Sequence, residues 1–265
     1  MQMIKTNGIH IHYRQRGSKD GTPLVFSNSL GTDFRVWDAL IPHFSDKFSM
    51  LLYDKRGHGL SECPSASYHI NDHVDDLSGL MQALDISNAL VCGLSVGGLI
   101  AQGLSAAHPE LVRGLILADT AHKIGLQQVW DDRIEVVRDK GISALQEPIL
   151  ERWFSEDFRT NHADELAGWC HMLVRTPRDG YVGTCVAIRD ADMTTAAQNI
   201  KVPTLCLGGS EDGSTPPDLV KSMADLIPGA KFRIVDGAGH LPCVEKPEQM
   251  AEYMWSFIKE AGFDK

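Results

Sequence analysis

The chain has no stretch that is typical of a membrane or secreted protein. Nowhere among its 265 residues is there an apolar run long enough for a transmembrane helix, which needs about 18 consecutive apolar residues. The first residues, MQMIKTNGIH, lack the charged-then-apolar order of a secretory signal peptide. These two absences lead us to expect a soluble cytoplasmic protein that binds no membrane.

Paired cysteines and clustered basic residues are also missing. The six cysteines are widely separated and form no C-x-x-C pair, so we expect neither a structural metal site nor a disulfide framework. The formal net charge is -10 and no run of Lys or Arg occurs, so nucleic-acid binding, which depends on clustered cations, is not expected. An anionic ligand would have to be recognised by a local arginine or by backbone amides. A homo-oligomer is possible, but the sequence does not indicate whether one forms.

The chain does contain a regular alternation of predicted strands and helices. Near the N-terminus, the pair Asn7-Gly8 joins two short strands, as expected for a two-residue hairpin at an antiparallel edge. Six later apolar segments are typical of buried parallel strands: PLVFS, FSMLLY, NALVCGL, VRGLILA, VPTLCLGG and KFRIV. Helices are predicted over 71–84, with Asn71 as the N-cap, and over 247–260. This alternation predicts an α/β fold with a mostly parallel sheet and helices on both faces.

The alternation stops between residues 121 and 195. This interval has no convincing strand, but it contains three tryptophans, many charges and helix-like periods such as VWDDRIEVV and ALQEPILERWF. We therefore expect a helical cap domain over 121–195, inserted into a core domain formed by 1–120 and 196–265. Such an insertion would cover the carboxyl edge of the sheet, where open α/β sheets bind ligands. The alternative is that these helices only add packing.

A serine between glycines follows one of the predicted strands. In GLSVG, Ser95 lies between Gly93 and Gly97, after a strand and before a helix. G-x-S-x-G in this context is typical of a nucleophile elbow, a tight turn that exposes the serine hydroxyl above the sheet. The competing interpretation is a dinucleotide-binding loop, G-x-G-x-x-G, but Ser95 stands where its second glycine should be. We therefore predict that Ser95 is a nucleophile.

A serine nucleophile needs two partners, because its hydroxyl is weakly nucleophilic at neutral pH. A base must take the proton and a carboxylate must orient the base. His240 follows the last predicted strand, and Asp212 lies in the loop after the strand before it. Both lie at carboxyl ends of strands, where they can converge with Ser95. Asp119, which ends the strand after the serine helix, is the alternative acid.

Negative charge that develops on a substrate carbonyl must be stabilised by N–H donors. The amide of Val96, at the start of the serine helix, is one predicted donor. The amide of Leu30, in the SNSLG loop after an earlier strand, is the other. The alternative is that Asn28 and Ser29 belong to an ordinary polar turn. His58, in DKRGHG, is assigned to a structural turn.

Together these segments resemble the α/β-hydrolase superfamily over essentially the whole chain. The resemblance is carried by NSLG, DKRGHGLS, GLSVGG, GSEDGSTPP and GAGH, in this order. Within the superfamily, FSNSLGTDFRVWD, GLSVGGLIAQGL and VWDDRIEVVRDKG with the later ERWF are similar to bacterial 3-oxoadipate enol-lactonases. The His-Gly pair common in the superfamily is replaced by Asn28-Ser29, which fits this subgroup. Haloalkane dehalogenases fit less well, because they carry aspartate at the position of Ser95.

The resemblance implies a serine hydrolase that opens the lactone ring of 3-oxoadipate enol-lactone, in the β-ketoadipate pathway, through an acyl-enzyme and without a metal or organic cofactor. This small-molecule substrate is anionic, and we expect Arg133 to bind its carboxylate. Trp130, three residues earlier on the same predicted helix, would supply an apolar wall, with Trp153 as a further lining residue and Arg35 as a reserve carboxylate partner. The alternative is that Trp130 is core and Arg133 a surface charge.

Two other functions are compatible with the same residues. A carboxylesterase or a C–C bond hydrolase acting on another catabolic intermediate would use the same fold and nucleophile, since loops and cap decide the substrate. A ligand sensor with little or no turnover would be favoured by a missing catalytic residue. Ser95, Asp212 and His240 are all present, which favours an enzyme.

Overall fold

The computed structural model describes residues 1–65 and 67–264, and its centre is one eight-stranded sheet. The strands are β1 (Gln2–Thr6), β2 (Ile9–Gly17), β3 (Thr22–Ser27), β4 (Phe48–Tyr53), β5 (Ala89–Leu94), β6 (Val112–Ala118), β7 (Thr204–Gly209) and β8 (Lys231–Val235). The α-helices are α1 (Ile70–Ala83), α2 (Val96–Ala107), α3 (Gln127–Lys140), α4 (Gln146–Trp153), α5 (Glu156–Asn161), α6 (Ala163–Val174), α7 (Arg178–Asp190), α8 (Thr194–Gln198), α9 (Pro217–Leu226), α10 (Pro242–Glu245) and α11 (Pro247–Glu260). Short 3-10 turns span Phe34–Trp37, Ile41–His43, Pro109–Leu111 and Ile142–Leu145.

The sheet is parallel except at one edge. Its strands lie in the order β1-β2-β4-β3-β5-β6-β7-β8. β2 pairs antiparallel with both β1 and β4, whereas β3 to β8 all run parallel. Every residue of β5 and of β7 is buried, which requires cover on both faces of the sheet. The predicted fold class, a mostly parallel sheet with helices on both faces, is confirmed.

The helices turn apolar side chains inward at helical spacing. In α1, Val74, Leu77 and Met81 are buried, and these are residues on which the helix prediction depended. In α11, Met250 and Met254 are fully buried one turn apart. None of the described helices is both long and apolar enough to cross a membrane.

The N-terminal hairpin was predicted correctly, but the start of α1 was not. Asn7 and Gly8 have φ values of 46° and 81°, the left-handed pair of a two-residue turn, and they join β1 to β2. Asn71 was expected to cap α1 but lies inside the helix. The amide of His69 donates instead to the Asp72 carboxylate at 2.7 Å. The helix therefore begins earlier than predicted, because the Asp72 carboxylate provides an acceptor for the amide of His69, the residue that precedes the helix.

Helices alone fill the chain between β6 and β7. α3 to α8 lie there, and none of residues 119–203 belongs to a strand. The main chain at the end of α4 binds two loops at the carboxyl edge of the sheet. The carbonyl of Arg152 accepts from the Gly213 amide at 3.3 Å, and that of Trp153 accepts from the His240 amide at 2.8 Å. The division into a core domain and a cap domain over 121–195 stays a prediction.

Two glycines of these helices offer a matched test of close packing. A Cβ on Gly180, in α7, would collide with the main chain of Gly57 after β4, whereas a Cβ on Gly168, in α6, would meet nothing within 4 Å. We expect Gly180→Ala to lower the free energy of unfolding by about 1–3 kcal/mol, because the two main chains must separate. Gly168→Ala should raise it by about 0.5–1 kcal/mol through helix propensity. Urea unfolding measures both, and equal effects would contradict this packing.

Candidate active site

Polar residues collect at the carboxyl edge of the parallel strands. Asn28 follows β3, Ser95 follows β5 and Asp119 follows β6, while Asp212 and His240 lie in the loops after β7 and β8. All five side chains are buried. Because the carboxyl ends of parallel strands meet at one edge of a sheet, residues far apart in the chain come together here.

The turn that holds Ser95 is strained and tightly packed. Ser95 has φ 58° and ψ -120°, a left-handed conformation that residues with a side chain rarely adopt. A Cβ on Gly93 would collide with the carbonyl of Gly97, and a Cβ on Gly97 would collide with the carbonyl of Ser27. The Ser95 amide donates to the carbonyl of Ala118 at 3.0 Å, which ties the turn to β6. The main chain therefore has the conformation that the nucleophile-elbow interpretation requires.

Asp212 and His240 form a buried hydrogen-bonded pair. The Oδ2 atom of Asp212 lies 2.8 Å from Nδ1 of His240. Three further donors reach the carboxylate: the amides of Ser214 and Thr215 and the Thr215 hydroxyl. Burial alone would raise the pKa of Asp212, but His240 and these donors together hold it below its usual value. An ionised Asp212 can orient the His240 ring and stabilise its protonated form.

Asp119, the alternative acid, lies beside this pair in a different environment. The three residues form a group of side-chain atoms within 4.8 Å of one another, close enough to share a metal ion, but Asp212 and His240 already bind each other. Of the described residues, only Gly209 donates to the Asp119 carboxyl, at 2.7 Å, and Oδ2 has no partner. Burial, reinforced by the charge of Asp212, raises the pKa of Asp119 well above its usual value. The environments therefore favour Asp212 as the ionised acid.

A cavity of about 280 Å³ lies over Ser95. The residues of its wall that were predicted from the sequence are Ser95, Leu30, Trp130, Arg133, Trp153 and His240. Asp212 lies behind His240, and Val96 follows Ser95 at the first position of α2. The structure thus brings the predicted nucleophile, base and oxyanion loop to one space, together with the predicted substrate-binding residues of α3 and α4.

The two candidate amide donors are unoccupied by protein acceptors. Within the described part of the chain, neither the Leu30 N–H nor the Val96 N–H donates to a carbonyl or to a side chain. For Val96 this follows from its position, since the first amides of a helix have no partner in the helix. Both amides are therefore available to an oxygen atom bound next to Ser95.

Arg133 and Arg35, the two predicted carboxylate partners, lie in different places. Arg133 lines the cavity, with its guanidinium 4.7 Å from the centre of the Trp130 ring. No described carboxylate forms an ion pair with it. Arg35 lies outside this cavity and binds both oxygens of the Asp33 carboxylate. Arg133 therefore has a charge without a carboxylate partner among the described residues, in the cavity that Ser95 also lines, and Arg35 does not.

Several side chains of the wall were missed by the sequence analysis, and Arg152 and Tyr181 are the polar ones on the helices. Arg152 precedes the predicted Trp153 on α4, and Tyr181 lies on α7, where it is buried. No motif marks either residue. The only signal for Arg152 was its position next to Trp153 at the end of the same predicted helix. Tyr181 reaches the cavity because α7 packs against α3, which periodicity alone does not reveal.

Comparisons with known proteins identify the class to which this fold and site belong. The family model Hydrolase_4, described as "Serine aminopeptidase, S33", matches residues 35–247. The chain belongs to this family of α/β-hydrolases, and it is a hydrolase, as its sequence motifs predicted.

Individual relatives are similar over nearly the whole chain. 3-Oxoadipate enol-lactonase 2 of Acinetobacter baylyi is 33% identical, over 92% of this chain and 91% of its own length. The crystal structure of an enol-lactonase from Burkholderia xenovorans superimposes with a TM-score of 0.94 at 35% identity, covering 97% of this chain and 100% of that one. An esterase from Thermogutta terrifontis, solved with malate bound, has a TM-score of 0.92 at 26% identity, covering 98% and 99%. The resemblance to enol-lactonases that the sequence indicated is confirmed.

Matched substitutions can distinguish the roles of Asp212 and Asp119, the two carboxyl groups beside His240. We expect Asp212→Asn to lower kcat for an aryl ester by about 10³–10⁴-fold, because a neutral amide leaves the His240 ring without an oriented anion. Asp119→Asn should leave kcat close to the wild-type value, because burial and the charge of Asp212 already oppose ionisation of the Asp119 carboxyl. Steady-state hydrolysis of 4-nitrophenyl acetate measures both variants. A larger loss in Asp119→Asn than in Asp212→Asn would reverse the assignment.

Proposed function

We propose that this chain is a serine hydrolase that opens the lactone ring of 3-oxoadipate enol-lactone to give 3-oxoadipate, a step in the catabolism of aromatic compounds. The observation that carries the proposal is the composition of one cavity wall. It combines Ser95 on its strained turn, His240 bound to Asp212, the free amide of Leu30 and the unpaired cation of Arg133. The similarity to two enol-lactonases over more than nine-tenths of the chain supports this choice of substrate.

The reaction begins at the lactone carbonyl. His240 takes the proton of the Ser95 hydroxyl as the serine oxygen attacks the carbonyl carbon, and Asp212 stabilises the imidazolium that forms. The carbonyl oxygen becomes negatively charged and accepts hydrogen bonds from the Leu30 and Val96 amides. Such donors act on the transition state more than on the bound substrate, and the loss of one typically lowers the rate about 10²–10³-fold.

Ring opening and hydrolysis complete the cycle. The bond between the carbonyl carbon and the ring oxygen breaks, and His240 protonates the leaving enol oxygen, which can then become the ketone. The acyl group remains on Ser95 as an ester. A water molecule deprotonated by His240 attacks this ester, the Ser95 oxygen takes back the proton, and the dicarboxylate leaves.

The inserted helices supply recognition of the substrate carboxylate. Arg133 is held against the Trp130 ring, whose Nε1 atom donates to the Ile124 carbonyl at 2.7 Å. A guanidinium stacked in this way loses little freedom when it binds a carboxylate. Trp153 and Tyr181 form apolar wall on the other helices. In a protein of net charge -10, a cation inside the cavity is the feature that would retain an anionic substrate.

A carboxylesterase is the second candidate function. Trp130, Trp153, Tyr181 and Ile188 give the cavity a large apolar wall that also suits a neutral acyl group. The similarity to the Thermogutta esterase shows that this architecture also occurs in an enzyme named for esters rather than lactones. Activity against esters and against the lactone decides between the two.

Loss of the nucleophile should abolish turnover of the lactone. We expect wild-type protein to remove the ultraviolet absorbance of 3-oxoadipate enol-lactone generated in situ, and Ser95→Ala to be at least about 10³-fold slower. Ser105→Ala, on the same helix α2, is the control for a serine-to-alanine change away from the cavity. If the wild-type protein does not hydrolyse the lactone but cleaves an aryl ester through Ser95, the carboxylesterase function replaces the lactonase function.

Removal of the cavity cation should affect anionic substrates only. We expect Arg133→Ala to raise KM for the lactone by about tenfold or more, because a charge-assisted hydrogen bond is lost. KM for a neutral aryl ester should change little. Arg138→Ala is the matched control, since Arg138 is exposed on the same helix and does not line the cavity over Ser95. Equal changes in KM for both substrates would show that Arg133 does not bind the carboxylate.

A further inference from the structure

A lysine is buried beneath the loop that carries the Leu30 amide. Lys55 follows β4 and is 1% exposed, although lysine is almost never fully buried without a partner. No ion pair among the described residues includes it. Burial lowers the pKa of Lys55 to about 7, against the opposing effect of nearby Asp54 and Asp33. Burial of a charged amine is energetically unfavourable, so the burial of Lys55 needs a structural or functional reason.

The Lys55 ammonium is bound to backbone carbonyls of the loop. Its Nζ atom donates to the carbonyl of Ser29 at 2.5 Å and lies 3.4 Å from the carbonyl of Thr32. The Ser29 carbonyl also accepts from the Thr32 hydroxyl at 2.9 Å and from the Thr32 amide at 3.3 Å. This one carbonyl therefore has three donors, and one of them belongs to a lysine.

The Ser29 carbonyl and the Leu30 N–H belong to the same peptide group. That group is planar and trans, so its N–H points away from its C=O. Binding of the carbonyl by Lys55 therefore fixes the opposite direction for the Leu30 N–H, and Leu30 lies in the wall of the cavity with Ser95. In its protonated form, Lys55 also polarises this peptide group, which strengthens the hydrogen bond that the N–H can donate.

Neighbouring amides of the loop donate to side chains of residues 54–58, the segment that also contains Lys55. The Gly31 amide donates to Nε2 of His58 at 3.0 Å, and the Phe34 amide donates to the Asp54 carboxylate at 3.0 Å. Burial and the charge of Lys55 keep the pKa of His58 well below its usual value, so Nε2 is free to accept. The segment 54–58 thus offers acceptors to amides and a donor to carbonyls, and the Leu30 amide is left unbound.

We propose that Lys55 is a positioning residue for catalysis, which directs and polarises the Leu30 N–H through the Ser29–Leu30 peptide group. The inference rests on the proposed function, because it takes the Leu30 amide as an oxyanion donor. Lys55 does not touch substrate. Its effect should appear in the transition state, where the substrate carbonyl oxygen is negatively charged. Substrate binding should change little, because the carbonyl oxygen is uncharged in the bound substrate.

The first test is Lys55→Met, which keeps an unbranched side chain, one atom shorter, and removes the amine. We expect kcat for 4-nitrophenyl acetate to fall about tenfold or more with KM nearly unchanged, since one oxyanion donor is misdirected but not deleted. The inhibition constant of phenylboronic acid, whose adduct with Ser95 carries a negative charge, should rise by a similar factor. Circular dichroism and thermal unfolding establish that the variant is folded. A change in KM alone, or an unchanged boronate constant, would overturn the proposal.

The second test uses a smaller change, so that the result does not depend on folding of Lys55→Met. Thr32→Val removes the hydroxyl that donates to the Ser29 carbonyl, and we expect a smaller fall in kcat with the same rise in the boronate constant. Thr184→Val is the control, because the Thr184 hydroxyl is buried and donates to a carbonyl of its own helix. Equal effects of Thr32→Val and Thr184→Val would overturn the role of the Ser29 carbonyl.

Ser95→Ala, measured beside these variants, separates the two proposals. If Ser95→Ala abolishes ester hydrolysis while Lys55→Met and Thr32→Val leave kcat and boronate binding unchanged, the positioning role is wrong and the serine mechanism stands. If Ser95→Ala retains wild-type turnover, the proposed function fails, and the role of Lys55 fails with it.

Discussion

The parallel alignment of β3 to β8 is the constraint on which the candidate site depends. It ends these strands at one edge of the sheet, so that residues separated by well over a hundred positions meet without any special loop. The same alignment buries the strand ends, where each polar group needs a hydrogen-bond partner. The Ser95 amide donates to Ala118 at the end of the neighbouring strand β6, and the Asp212 carboxylate accepts from Ser214 and Thr215 of its own loop. The site therefore depends on the shared edge of the strands and on partners supplied by a neighbouring strand and by a short loop.

The number of donors around a carboxyl group distinguishes Asp212 from Asp119. Both groups are buried beside His240, and burial opposes ionisation of each. Asp212 has the imidazole and three loop donors, whereas a single amide reaches Asp119 within the described chain. The same small space therefore favours ionisation of Asp212 and opposes ionisation of Asp119. If both were charged, their repulsion would disturb the hydrogen bond that orients the histidine.

Much of this arrangement could be predicted from the sequence, and the limits are physical. The glycines around Ser95 and the positions of Asp212 and His240 after strands are local patterns, so their placement at one edge followed from the parallel fold. Arg152 and Tyr181 were missed because helix packing, which leaves no motif, brings them to the cavity. The buried contact of Lys55 was missed because the carbonyl that it binds lies in a loop more than twenty residues earlier. The predicted N-cap of α1 was wrong because the Asp72 carboxylate accepts from the amide of His69, so that the helix begins at Ile70 and Asn71 lies inside it.

The carbonyls of Arg152 and Trp153 bind the Gly213 and His240 amides, and this joins α4, in the wall of the cavity, to the loops that carry Asp212 and His240. α4 cannot move far from the sheet without breaking both hydrogen bonds. A displacement of α4 would therefore also release the backbone next to Asp212 and at His240. Through these two main-chain hydrogen bonds, the position of one wall of the cavity and the position of the Asp212–His240 pair are mechanically coupled.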